Sequence, residues 1–203
     1  MYNLPYFKEQ DEIGLLQFMR QHDFIILCGT ESDGTPVATQ VPVLIREQEG
    51  RIILEGHIMR NTDHHKAFVH NEKVLALFVG PHAYISSSWY ENPQQASTWN
   101  YMTVHAKGKI SFGDQQHLLN ILKETTDHYE GSTDNFANLS EEYIHKLIGA
   151  IVSFTIEVTS LEHVFKLSQN RSAKDHQSVI DHLSSSDEPG RMVAKEMINR
   201  KKQ

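Results

Sequence analysis

The segment STWNYMTVHAKGKISF (97–112) does most to limit what this chain can fold into. Trp99, Tyr101, Thr103 and His105 fall on one face, and Asn100, Met102 and Val104 on the other. That period of two belongs to a long β-strand. Other segments share the character. FIILCGT (24–30) is a continuous apolar run, Ser32-Asp33-Gly34 is a hairpin turn signal, and PVATQVPVLI (36–45) reads as the return strand. Pro42 has no N–H to give a ladder, which predicts an edge position or a bulge. Gly50 marks the next turn and RIILEGH (51–57) a third strand. KVLALFVG (73–80) and HAYISS (82–87) read as two strands, or as one bent at Gly80-Pro81. IVSFTIEV (151–158) alternates most clearly, and VFKLSQN (164–170) extends the sheet or closes it.

Helices are expected between these strands. Ile13, Leu16 and Met19 have helical spacing behind a cap at Asp11. TDHHKAFVHN (62–71) is a short helix capped by Thr62 or Asp63. Asp114 caps a segment to about Glu130, and Ser140 caps another to about Gly149. Ser172 with Asp175 resembles a capping box for a helix to Ser184, after which Pro189-Gly190 should interrupt before a last helix. ENPQQAS (91–97) and GSTDNFAN (131–138) read as loops. The sum is a mainly β chain. Closing such a sheet removes its exposed edges, so the expected architecture is a β-barrel with peripheral helices. It forms one domain over 1–203 with a helical C-terminal extension from about residue 172; an open α+β sheet is the alternative.

Composition excludes several functions. Lys plus Arg is 19 and Asp plus Glu is 26, so the formal net charge is −7. That balance supplies no general positive face for nucleic acid. Arg191, Lys195, Arg200, Lys201 and Lys202 form a local basic tail, which reads as a solvated helix end or as a DNA contact. No apolar run reaches the roughly 20 residues of a spanning helix, so no membrane association is expected. The start, MYNLPYFKEQ, has no secretory pattern, and the single Cys28 cannot form an internal disulfide. A cytoplasmic location is the expectation.

No dinucleotide fingerprint, phosphate loop, HExxH or GxSxG is present. Cys28 lies in an apolar strand, where a thiol is usually inert packing. Among the 13 histidines, His64, His65 and His70 have no good chelating spacing, while His57, His82 and His105 lie in or beside strands, as structural or ligand-contacting groups. The densest cluster runs from Tyr84 to His105 and holds both tryptophans, Trp89 and Trp99. Rings mixed with hydroxyls and an amide suit a flat, polar-edged aromatic ligand. A dimer interface or core patch has the same composition.

GPHAYISSSWY (80–90), TWNYMTVHAKGK (98–109) and KLSQNR (166–171) closely resemble the PaiB-type proteins, a bacterial group related to the flavin-binding split-barrel proteins. The likeness spans nearly the whole chain, with three separated motifs in order. It implies a split β-barrel that forms a homodimer with FMN in clefts at the subunit interface. It also implies a negative regulator of transcription, whose best-known member affects sporulation and extracellular protease production. Carried over, it implies that His57, Arg60, Asn61, Thr62 and Lys66 lie at the flavin phosphate. Helix N-termini suit that anion. Ser86, Ser87, Ser88 and Trp89 would line phosphate and ribityl chain. Trp99, Asn100, Tyr101 and His105 would reach the cleft, and Lys166, Gln169 and Arg171 would lie near the ring. One stretch departs from the family pattern: HIMRNTDHHK (57–66) lacks the usual Asn-Pro pair and has His65 in place of an aromatic.

Three functions follow in order. The first is an FMN-binding, PaiB-like regulator that contacts DNA or a regulatory protein; no helix-turn-helix with a basic recognition helix is present. The second is an FMN-dependent oxidoreductase acting on a small molecule, with His57 or His105 as candidate acid or base. The third, motivated by the histidines, is a haem-binding split barrel.

Overall fold

The computed structural model describes residues 1–2, 4–9, 11–92, 94–131, 136 and 140–200. Its strands are β1 (Phe24–Thr30), β2 (Pro36–Pro42), β3 (Leu44–Gln48), β4 (Arg51–Met59), β5 (Lys73–Ile85), β6 (Thr98–Phe112) and β7 (Ile151–Lys166). With them run helices α1 (Glu12–Gln21), α2 (Asp63–His70), α3 (Gln115–Glu130), α4 (Glu141–Ala150), α5 (Ala173–Ser184) and α6 (Glu188–Arg200). The chain divides into two compact units: Met1–Phe18, Val79–Val104 and Glu162–Gln203 in one, Met19–Phe78 and His105–Leu161 in the other. All seven strands contribute to the second unit, the barrel unit. Among the described residues no helix is long and apolar enough to cross a membrane.

The sheet order is β2-β1-β5-β6-β7-β4-β3. Its two end strands, β2 and β3, are joined by Val43 alone. A flat seven-strand sheet would hold its outer strands about 29 Å apart at the usual strand spacing. One residue spans roughly 3.5 Å. The sheet must therefore curl until its edges meet, which makes it a split β-barrel. Strand β1 pairs antiparallel with β2 from Phe24 opposite Pro42 to Thr30 opposite Pro36. Pro42 thus ends an edge strand, where its missing N–H costs nothing. On β4, Gly56 permits the closure: a Cβ there would lie 2.8 Å from the Pro42 carbonyl oxygen and 2.8 Å from the Phe154 ring. The barrel interior holds Ile25, Leu27, Leu54, Phe78, Phe154 and Ile156, all fully buried. Burying each such side chain contributes roughly 1.5–3 kcal/mol.

Helix α2 seats on the barrel through Phe68, whose ring lies over Gly29; a Cβ there would come within 2.6 Å of it. Helix α3 is fastened by polar groups. His117 Nε2 donates to Glu55 Oε1 at 3.0 Å, and its Nδ1 meets the Ser153 hydroxyl at 2.9 Å. Arg46 bridges Glu55 and Glu124. Burial pushes the Glu55 carboxyl up, but the hydrogen bonds from Arg46 and His117 outweigh it and hold it below the usual carboxylate value.

In the other unit the ends of β5, β6 and β7 carry a core of Phe18, Met102, Val104, Phe165, Val179 and Met197. Phe18 and Phe165 meet at 4.8 Å.

The structure corrects some expectations and decides others that the sequence leaves open. The buried face of α1 is Leu15, Phe18 and Met19, while Ile13 is 66% exposed. Segments 73–87 form one strand to Ile85; its buried positions switch from even to odd numbers across Gly80-Pro81, as an extra residue in a strand requires. Segment 151–158 and the first residues of 164–170 likewise belong to one strand, β7, which ends at Lys166. Pro189-Gly190 does not break a helix but sits in the first turn of α6, where proline's lost N–H has no partner anyway. The loop expected over 131–138 falls largely outside the described residues.

Gly56→Val should destabilise the protein by about 1–3 kcal/mol, the range for overpacking against fixed neighbours. Urea unfolding checks this; an unchanged midpoint would mean that β4 and Pro42 are not in tight apposition.

Candidate functional site

In the barrel unit the segment from His57 to Lys66 leaves β4 and enters α2. Thr62 organises the turn. Its hydroxyl donates to the Met59 carbonyl at 3.1 Å and accepts from the His65 N–H at 3.3 Å, capping α2 as expected. Asn61 has a left-handed backbone, φ 63°. Its N–H donates to His65 Nδ1 at 3.1 Å, so the His65 proton resides on Nε2. The His65 ring lies edge-on to Phe112 at 5.1 Å, so it does the packing work of an aromatic residue. Arg60 is anchored to the start of β7, with Nε donating to the Ile151 carbonyl at 2.8 Å. Lys66, with Glu31, Ser32, Asp63 and His70, lines a cavity of about 380 Å³. His57 is half-buried on β4 opposite Ser153. His105 is half-buried on β6.

In the other unit, the three motifs converge. Lys166 donates to the Thr98 hydroxyl. The Ser168 hydroxyl donates to Asn100 Oδ1 at 3.1 Å. The Arg171 guanidinium lies 4.4 Å over the Tyr90 ring and donates to Gln95. The last motif is thus knitted to the other two. Burial pushes the Lys166 amine down, helped by Arg171. Gln169 is spent on its own loop, accepting from the Leu167 N–H at 2.7 Å and donating to the Phe165 carbonyl.

The serine run forms a tight turn. Ser86 Oγ accepts from the Ser88 N–H at 3.2 Å, and the Ser87 N–H donates to Ser97 Oγ at 3.0 Å. Trp89 stacks on His182 of α5 at 4.8 Å, and its carbonyl accepts from Ser178. Trp99 is 52% exposed and lies edge-on to Tyr84, itself 51% exposed. Tyr101 is half-buried on the same face, with its phenol pushed up by burial and then by Tyr2. Asn100 points to the opposite face and is fully buried, with Nδ2 on Met197 Sδ at 3.6 Å. Its amide braces the core rather than lining the surface that Trp99 shares with Tyr101.

Nothing in the sequence points to Ser168, whose left-handed φ of 63° is unusual for a residue other than glycine. Nor did it reveal the Ser153–His117–Glu55 chain. That chain resembles a hydrolase relay, but Ser153 is fully buried and cannot meet a substrate. Of the basic tail, Arg200 turns inward. It pairs with Glu9 and Glu196 and lies 4.5 Å from the Phe165 ring centre, while Lys201 and Lys202 fall outside the described residues. Among the described residues no histidine, cysteine and carboxylate group could hold a metal ion.

Residues 1–160 match the family described as "Putative FMN-binding domain". The chain is 33% identical over 204 residues to protease synthase and sporulation protein PAI 2 of Bacillus subtilis, covering 99% of this chain and 98% of that one. In fold it is similar to the flavocytochrome Anf3 of Azotobacter vinelandii, with TM-score 0.62, 12% identity and coverage of 87% and 78%. It is also similar to the FAD and heme binding protein of Mycobacterium smegmatis, with TM-score 0.61, 13% identity and coverage of 84% and 78%.

Three histidines make this structure sensitive to acid. Burial holds His57 below the ordinary imidazole value. Burial and then Arg60, His64 and Lys66 do the same for His65, and burial with Lys8 for His163, whose Nε2 accepts from the Glu9 N–H at 2.8 Å. Each is harder to protonate in the fold than in the unfolded chain, which takes up the proton near pH 6.5. Their contribution is complete above that pH and is lost as pH falls through the lowered folded values. Urea midpoints should therefore be lower at pH 5.5 than at pH 7.5; equal or rising midpoints would refute this.

Proposed function

The chain belongs to the FMN-binding domain family, and from that membership we propose that it is a flavin-binding, PaiB-like negative regulator of transcription. The full-length likeness to the Bacillus subtilis protein carries this reading. We take FMN as the cofactor and place its phosphate at the β4–α2 turn. Arg60 supplies a guanidinium there, α2 supplies the positive end of its dipole, and Lys66 supplies a second cation. The donor set fits a phosphate, and when bound the flavin would supply one- and two-electron redox chemistry. The chain's own residues bind and orient. Arg60 is held by a backbone carbonyl, so its direction is set before ligand arrives. The protein acts as a cytoplasmic homodimer in this reading. The exposed Trp99, Tyr84 and Val79 form the aromatic-apolar face that a second copy would cover.

FMN titrated into the purified protein should quench on binding. Arg60→Ala and Lys66→Ala should each weaken FMN roughly tenfold, the worth of one charged hydrogen bond, and leave riboflavin nearly unaffected. Equal losses for both ligands would remove the phosphate assignment, and no FMN binding would remove the flavin.

Regulation is tested separately. With net charge −7 and Arg200 committed inward, direct DNA contact requires an assembled surface, or action goes through a regulatory protein. A mobility shift that collapses steeply between 50 and 200 mM salt, as phosphate contacts demand, would identify a direct DNA contact. Absence of any shift, together with rapid anaerobic flavin reduction by NADH or NADPH, would favour an FMN-dependent oxidoreductase instead.

A further inference from the structure

A cavity of about 310 Å³ opens between the end of β7 and the helix pair α5 and α6, within one unit. Leu167, Ala173 and Met197 line it, with Arg171, His176 and Arg200. Two guanidiniums from different elements thus border a small, largely apolar space.

The surroundings are built to hold those cations still. Ser168 adopts its left-handed conformation while buried, a strained state that persists only where the structure over-determines it. Here Asn100 takes its hydroxyl and Gln169 clasps the loop from both sides. The result fixes Arg171 on the Tyr90 ring. Arg200 is fixed by Glu9, Glu196 and the Phe165 ring. A guanidinium carries five N–H donors. The described bonds use one from Arg171 and two from Arg200, so donors are left over at both. The Tyr90 hydroxyl is also buried with no hydrogen-bond partner among the described residues.

We propose that this cavity is a binding site for a small organic acid, one carboxylate on an apolar body about the size of a benzene ring. Planar guanidiniums match a carboxylate's two oxygens, and the apolar lining takes the body. The volume lies at the lower end for small-molecule pockets, which limits the ligand's size. Glu9 and Glu196 together balance the formal charges of the two guanidiniums, so a singly charged carboxylate suits the site better than a phosphate dianion. The site is additional to the flavin reading and does not depend on it.

Benzoate titrated calorimetrically into the full-length protein tests this, with benzamide and benzylamine as neutral and cationic counterparts. Benzoate should bind at least about tenfold more tightly than either, the worth of one charged hydrogen bond. Saturating FMN should leave its affinity within about twofold, as independent sites require. Arg171→Met should weaken benzoate about tenfold or more, again the loss of a charged bond. Ala173 is exposed in the first turn of α5, so Ala173→Leu narrows the cavity without removing a charge or disturbing the core. It should weaken benzoate likewise and still reports if Arg171→Met fails to fold. The proposal is overturned by absent benzoate binding, by equal binding of the three compounds, by displacement with FMN, or by undiminished binding in Ala173→Leu.

Discussion

The single-residue passage at Val43 decides the shape of the barrel unit. It ties the two ends of a seven-strand order together covalently, so curvature is imposed by chain connectivity rather than left to packing. Closure then needs a place where backbone can approach backbone, and Gly56 provides it beneath the Pro42 carbonyl. The strand that carries Gly56 continues into His57 and Met59, and the Met59 carbonyl anchors Thr62. The turn bearing Arg60 and Lys66 is therefore an extension of the closing strand, and its position follows from the closure.

Polar groups fix what the apolar core leaves loose. Helix α3 buries Leu118 and Ile121, but a greasy stripe tolerates sliding. The bonds from His117 to Glu55 and Ser153 do not, because each has a direction and a length. Breaking one member strands a part-buried carboxylate, which costs more than the intact set contributes. The pair of Arg46 with Glu124 is weaker, since Glu124 is more exposed than Glu55.

Local features were legible in the sequence and distant ones were not. Thr62, Asp114, Ser140 and Ser172 cap helices as expected, because a cap bonds within three residues of itself. The alternation of 98–112 appears directly in the burial of β6. The spacing of Ile13, Leu16 and Met19 does not choose the buried face of α1, because Leu15 and Phe18 offer a second apolar stripe and only the fold decides between them. Asp175 shows the limit well. Its place beside Ser172 was visible, but its carboxylate bonds the Glu91 N–H, far along the chain. The resemblance supplied the three motifs in order, while their mutual bonds, such as Lys166 to Thr98, join residues 68 apart and needed coordinates.

The stacking of Trp89 on His182 has an optical consequence. One indole rests against an imidazole and the other, Trp99, stands largely in solvent. Intrinsic fluorescence therefore carries two separable signals: a red-shifted emission from the wet indole, and a quenched one that brightens when α5 lifts away. The docking of the C-terminal helices can be followed in real time without attaching any label.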